Sequence, residues 1–354
     1  MPDSTDNAPR FATRLTREYA LRYPLVGAGM GFIAHERLAA AVTNAGGLGV
    51  LGASPDPAES LSVMVERLRA LTSGPFGVDL ICANTGLGPA STDEHVDECI
   101  RLNVPLVVFH HDPPPAHWVM ALRAAGIRVW MQASSPEIAA MAIGFGVGGI
   151  VAQGSEAGGH ARGRTPLDAL LRIVRHNWPD MLLLAAGGIS DGTAAAAALR
   201  AGADGVWVGT ALVAATEANA HPEYQRRLID MPGKTLRTRA FGPEWPDQPY
   251  RLLATPAVHS AEASAAQHNG TIGRTRLFPH SVNLPYDLPA RSALPPTPET
   301  SGDWESMVYP AGQGVGAVRR IAPAAEIIEQ MMSQARAYYC RPRQGSAGGN
   351  ADIQ

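Results

Sequence analysis

The sequence predicts a (β/α)8 barrel, and three observations carry that prediction. Short apolar runs alternate with longer helical ones eight times in succession before residue 221. Those apolar runs are hydrophobic throughout, not at every second position, as in a parallel sheet covered on both faces. Glycines gather where the runs give way to helices, which is where barrel enzymes hold their ligands. An open doubly wound sheet is the competing arrangement, because it shares the alternation.

Each pair reads as follows. PLVGAG (24–29) is a strand followed by a helical run at 35–45. GLGVLGA (47–53) precedes 57–72, where AESLSVMVERLRAL has apolar residues at helical spacing. FGVDLIC (76–82) leads to a helix at 92–103, PLVVFHH (105–111) to one at 116–125, and IRVWMQ (127–132) to one at 136–145. GGIVAQG (148–154) precedes 166–176, MLLLAAG (181–187) precedes 191–201, and DGVWVG (204–209) precedes 211–220. Residues 14–220 are therefore expected to form the barrel.

The rhythm breaks over 221–320, which is rich in Pro, Ser and His (PEWPDQP, NLPYDLP, ALPPTPETSGD). Few long helices fit there, although 259–269 suits one. A segment of that length inside a compact chain is usually a functional insertion, and its position after the eighth pair suits a lid over the barrel mouth. The run PAAEIIEQMMSQARAYY predicts a C-terminal helix within 321–340, with Pro323 in its first turn. Residues 341–354 are expected to be disordered.

The chain has 354 residues, 45% apolar and 17% charged, which is a core-forming composition. Lys and Arg number 29 against 32 Asp and Glu, so no basic footprint for nucleic acid exists. The excess of turn formers, 37 Gly and 29 Pro, fits many tight connections and close backbone approaches. Cys82, Cys99 and Cys340 are too few and scattered for a disulfide framework or a zinc cluster. A cytoplasmic location is expected, without a secretory leader or membrane span, since the N-terminal residues are polar and no long apolar run occurs. A homo-oligomer is compatible with the sequence.

The junction glycines let a planar or phosphorylated ligand approach the backbone. Gly27, Gly29 and Gly31 surround Met30 after the first strand, and AAGGI (185–189) and Gly209-Thr210 end the last two. The loops after strands seven and eight commonly cradle phosphate in this fold. The plain alternative is that glycine only makes tight turns. Neither GxGxxG nor a Walker loop occurs in a strand–helix context. His160 follows Gly158-Gly159 in a polar junction loop, QGSEAGGH, and suits a general base at neutral pH. Glu156 either orients it or caps the next helix. His110-His111-Asp112, at the end of strand four, is the rival constellation. Adjacent strand residues point to opposite faces, so the two histidines do not easily share an ion, and no metal site is expected there or elsewhere. One of the two histidines is a candidate to line the substrate site. Gln132 and Gln153, at the ends of strands five and six, offer amides to a ligand ring, or cap turns.

These residues resemble a known family. YPLVGAGMG with LAAAVTNAGGLGVLGA, then PFGVDL, QGSEAGGHARG, AAGGISDG, GVWVGTAL and YPAGQGVG with PAAEII follow the motifs of the nitronate monooxygenase (2-nitropropane dioxygenase) family, in its order, over 14–340. The resemblance implies FMN on a barrel and oxidation of alkyl nitronates with O2 to a carbonyl compound and nitrite. It implies His160 as the base and Gly29, Met30 and Gly31 against the flavin. It places Asp79, Gln132, Gln153, Gly158 and Gly159 among the FMN contacts. Ala186, Gly187, Gly188, Gly209 and Thr210 would lie at the phosphate, and Gln313 would approach the ring. Two departures stand out. Asp79 occupies a position where the family often has Asn, and FHHDPPP replaces a small glycine-containing turn. An NAD(P)H-dependent FMN reductase of the enoyl-thioester or quinone type is the enzyme alternative, and a non-catalytic flavin-binding protein is the other.

Overall fold

The computed structural model describes residues 11–231, 233–263 and 270–339. Its centre is a barrel of eight parallel strands: β1 (Leu25–Gly27), β2 (Leu48–Gly52), β3 (Phe76–Cys82), β4 (Leu106–His111), β5 (Arg128–Ala133), β6 (Gly149–Gln153), β7 (Leu182–Ala186) and β8 (Gly205–Val208). Neighbours in sequence are neighbours in space, and β1 closes the ring: Leu25 lies opposite Val206 of β8, and Val26 opposite Leu48 of β2. The alternation read from the sequence is thus a (β/α)8 barrel, not an open sheet.

The strands look uniformly apolar because both of their faces are buried, yet side chains still alternate. Val26, Val50, Leu106, Val108, Trp130, Val151, Leu184 and Trp207 fill the barrel interior. Leu25, Leu51, Val107, Phe109, Met131, Ile150, Leu183 and Val206 pack outward under the helices. This parity decides which strand-end residues look into the barrel mouth. Below, the helix Arg14–Glu18 buries Leu15 among the strand starts, and Tyr19 meets Trp130 edge-on at 5.2 Å. That end is plugged, so a ligand enters from the other.

The eighth helix differs from expectation. Only Thr210–Val213 is helical, not 211–220. The residues beyond are adequate helix formers, but Ala215 bridges to Ala322 and Thr216 N–H donates to the Ala322 carbonyl at 3.1 Å. A tertiary contact thus overrides local propensity. A separate helix, Pro222–Asp230, follows, with proline in its first turn and His221 Nδ1 accepting from Glu223 N–H. Within 221–320, β9 (Thr235–Thr238) pairs with β10 (Tyr250–Leu253), which pairs in turn with the short stretch Gly159–His160. β11 (Thr271–Leu277) and β12 (Leu284–Pro289) form a hairpin. The helix suggested at 259–269 is Pro256–Ala263; residues 264–269 lie outside the described residues, as do Cys340 and the tail 341–354. The C-terminal helix Ala324–Tyr339 packs on helices Gly192–Arg200 and Glu36–Asn44. No helix among the described residues is long and apolar enough to cross a membrane.

Candidate active site

A cavity of about 250 Å³ opens at the C-terminal ends of the barrel strands. Strand parity supplies much of its wall: Ala28, His110, Gln132, Gln153, Ala186 and Trp207 each sit on the inward-facing register and line it. Gly29, Met30, Gly31, Gly158, Gly159, His160, Gly187, Gly188, Gly209 and Thr210 join them. Most residues singled out from the sequence therefore meet at one place.

The glycines there serve different ends. Gly187 and Gly188 have φ of +108° and +72°, the left-handed region that favours glycine. A Cβ on Gly158 would strike the backbone of Ala311 and Gly312, so this glycine lets the C-terminal segment cross the β6 loop. Gly312 N–H donates to Thr210 Oγ1 at 3.0 Å, and Gln313 N–H to the Glu156 carbonyl at 2.9 Å. Gly209 is unlike these. A Cβ there would find only Met30 Sδ at 3.6 Å and Ala28 Cβ at 3.7 Å, ordinary contact beside open space.

His160 sits in a two-residue strand held by the insertion. It lies opposite Tyr250, and Ala161 N–H donates to the Pro249 carbonyl. Arg237 donates to the carbonyls of Ala161, Arg162 and Gly163 at 2.7–2.8 Å, and Arg251 to that of Ser155 at 2.9 Å. Its imidazole stacks on Tyr250, with ring centroids 4.0 Å apart and planes 5° apart, and Trp245 tilts against it at 4.4 Å. Nδ1 is buried without a hydrogen-bond partner. Burial pushes the pKa down to about 3; the nearby His110 adds to this and the Pro249 carbonyl opposes it. The ring is therefore neutral at pH 7 with a lone pair available. Glu156 does not orient it: its carboxylate accepts from Leu167 N–H at 3.1–3.2 Å and caps the next helix.

His110 and His111 separate as strand parity requires. His110 lines the cavity with Nδ1 3.3 Å from Asp79 Oδ1, whereas His111 turns away at φ of +82° and tilts against Trp245 at 4.4 Å. Burial first, then the charges of His110, Arg162 and His160, push His111 down to about 3. Asp79 lies behind Gly29 rather than in the wall, and burial raises its pKa while His110 opposes. Gln313 is exposed and does not line the cavity; its neighbours Gly312 and Gly314 do. Sequence reasoning missed Trp245, Tyr250, Glu244 and Tyr224, which the insertion brings to the mouth. The aromatics embedded in PEWPDQPY were the available signal. The Glu244 carboxylate is satisfied by Ser292 Oγ at 2.6 Å and Ala293 N–H at 2.8 Å, so it shapes the wall rather than offering a free base.

Comparison with known proteins places this geometry. The family model described as nitronate monooxygenase matches residues 12–334. The chain belongs to the nitronate monooxygenase family. It is 32% identical to a nitronate monooxygenase of Pseudomonas aeruginosa over 320 residues, with 72% of this chain and 90% of that protein covered. A Mycobacterium tuberculosis relative named as a hydroxy-methyl-oxo-octahydroindene-carboxyl-CoA dehydrogenase is 30% identical, with 72% and 70% covered. Among solved structures, the nitroalkane oxidase of Streptomyces ansochromogenes has a TM-score of 0.73 at 28% identity, covering 90% of this chain and 97% of that one. FabK from Thermotoga maritima has the same TM-score and identity, covering 92% and 96%. Membership of this family makes the protein an oxidoreductase, and its long Pro-rich insertion and C-terminal segment fall within the family match.

Proposed function

We propose that the protein oxidises alkyl nitronates, and nitroalkanes that it first deprotonates, using FMN and O2, with release of nitrite and a carbonyl compound. One observation carries this reading: His160, held neutral by burial, shares a cavity wall with a glycine cradle.

The residues present fit FMN. A Cβ on Gly209 would stand in open space, Gly187 and Gly188 run along the same wall in left-handed conformations, and Thr210 adds a hydroxyl. Such a surface suits a phosphate. A single cradle of this kind favours FMN over a dinucleotide. Gln132 and Gln153 carry both donors and acceptors, which match the mixed edge of a flavin ring. When bound, the flavin supplies the electron-accepting chemistry. The protein's own groups prepare for it. His160 takes the α-proton of a neutral nitroalkane at a ring nitrogen. A low proton affinity at rest keeps the base unprotonated, and the anion formed beside it raises that affinity during transfer. Trp245 and Tyr250 cover the imidazole and exclude water. His110, backed by Asp79, lines the substrate side. Residues 14–220 hold the flavin and 221–320 form the lid. The unpaired thiols of Cys82 and Cys99 suit a reducing cytoplasm.

A second reading is an NAD(P)H-dependent FMN reductase of the enoyl-thioester or quinone type, and the relative named for a carboxyl-CoA substrate is similar to this chain over 72% of its length. Anaerobic stopped-flow mixing of the FMN-loaded protein with nitronate, NADH and NADPH separates the two. Bleaching by nitronate alone supports the proposal; bleaching only by a nicotinamide overturns it.

A further inference from the structure

Outside the cavity, four ionisable side chains converge in the interior with several of their polar atoms unpaired. His35 and Glu36 begin the helix after β1, Asp56 lies in the loop after β2, and His280 comes from the turn between β11 and β12. His35 and Asp56 are 8% and 1% exposed, and the His280 side chain 4%. His35 Nε2, both carboxylate oxygens of Asp56 and His280 Nδ1 are buried without a hydrogen-bond partner. Each such atom costs free energy unless something satisfies it. Here they lie together. The rings of His35 and His280 are 4.8 Å apart and nearly perpendicular. His280 Nε2 is 3.1 Å from Glu36 Oε2, and its Nδ1 is 4.0 Å from Asp56 Oδ2. One ligand atom from each of His35, Glu36 and His280 falls within 4.8 Å of the other two.

We propose that His35, Glu36 and His280 bind a divalent transition-metal ion of the zinc class, with Asp56 orienting His280 from outside the coordination sphere. The donor set supports this class. Two imidazoles and one carboxylate suit zinc, whereas calcium and magnesium take oxygen ligands. Bonds of about 2.0–2.2 Å to a tetrahedral ion bring ligand atoms to roughly 3.4 Å from one another, so small side-chain rotations close the site. The Asp56 carboxylate stands on the far side of the His280 ring from Glu36, the place from which a carboxylate takes the second N–H of a metal-bound histidine. Glu36 supplies a carboxylate charge to the ion, and Arg67, 3.6 Å from Glu36 Oε1, is itself mostly exposed.

The ligands come from two separate segments, the start of the helix after β1 and the turn between β11 and β12, so the ion fastens the insertion to the barrel. Ser60 Oγ donates to Ser281 Oγ at 2.9 Å across the same junction. The loops carrying His35 and Asp56 also present Phe32, Ile33 and Pro55 to the cavity wall. The ion therefore acts as a structural clamp on two cavity-lining loops. Nothing in this proposal depends on the flavin or on the reaction.

The test uses the full chain without a histidine tag, stripped with a chelator and dialysed. Zinc and cobalt(II) chloride are then titrated in, with uptake read by elemental analysis, calorimetry and visible absorption. The expected result is one ion per chain, an intense tetrahedral cobalt spectrum without a thiolate charge-transfer band, and a melting temperature higher by at least about 3 °C with zinc. His280→Gln and Glu36→Gln should abolish stoichiometric uptake while FMN still binds with its usual fluorescence quenching. No uptake by the unmutated chain, a thiolate band in the cobalt spectrum, or full uptake by His280→Gln overturns the proposal. Should the variants fail to fold, uptake and the cobalt spectrum of the unmutated chain decide.

Discussion

His160 lies flat on Tyr250, with 4.0 Å between ring centroids and 5° between planes, and the two residues are paired across a strand. The candidate base comes from the barrel, whereas the surface that dries it comes from the insertion. Replacing Tyr250 with Leu should let water reach the imidazole and raise its pKa from about 3 toward the ordinary value. In the unmutated enzyme, kcat/KM for a neutral nitroalkane should show no histidine limb down to about pH 5. In the variant an acid limb should move up toward neutrality. An unmutated profile that already falls below about pH 6.5 contradicts this environment.

Two glycines should respond in opposite ways. Gly209→Val directs methyl groups into open space beside Met30, so flavin occupancy should fall sharply with little change in the apoprotein's melting temperature. Gly158→Ala collides with the backbone of Ala311 and Gly312, and should destabilise the fold by about 1–3 kcal/mol. Flavin content after reconstitution and thermal melts distinguish the two. Full occupancy in Gly209→Val removes the cradle from the account.

Acid should destabilise the fold through its buried histidines. His160 and His111 are both held near 3, so between about pH 6.5 and that value the unfolded chain binds more protons than the folded one. Stability is then full above about pH 6.5 and is lost as pH falls, with each histidine adding ~1.4 kcal/mol per pH unit inside the window. The raised Asp79 and Asp56 act in the opposite sense and His35, lowered to about 4, adds to the two histidines, so the difference made by removing His111 isolates its part. Denaturant melts from pH 7 to pH 4 should show falling stability, with a shallower slope in His111→Gln. An unchanged slope in that variant contradicts the assignment.

Asp79 is held toward its neutral form by burial. A protonated carboxyl offers an O–H donor where the family often has an amide. Asp79→Asn should keep FMN occupancy, and its stability gain should grow as pH rises above about 4, where the unfolded Asp79 ionises and the folded one resists. Loss of flavin in this variant would mean that the anion is required.

Much of the barrel was legible because each strand announces itself by being apolar on both faces, and each junction by its glycines. Ends were legible for the same reason: His110, Gln132, Gln153 and Ala186 fall on inward positions that follow from a period of two. What failed depended on distant contacts. The helix expected at 211–220 stops early because Ala322 pairs with Ala215. Trp245 and Tyr250 reach His160 across some ninety residues of sequence, and no local pattern points to that. Gln313 stands in the right motif, but its backbone, not its side chain, meets the β6 loop. The His35, Glu36 and His280 cluster joins two segments some 240 residues apart, which is why a scan for ligand spacing found no metal site.

The central claim is that His160 removes a proton from carbon. His160→Asn separates the two substrate forms, because a neutral nitroalkane must lose its α-proton whereas a preformed nitronate has already lost it. A positioned base contributes ~10²–10⁴-fold to such a step. Steady-state assays of the FMN-loaded variant with both forms of one substrate should show nitroalkane turnover falling by that order and nitronate turnover far less, at unchanged flavin content. An equal fall for both forms contradicts the claim and leaves His160 a binding residue.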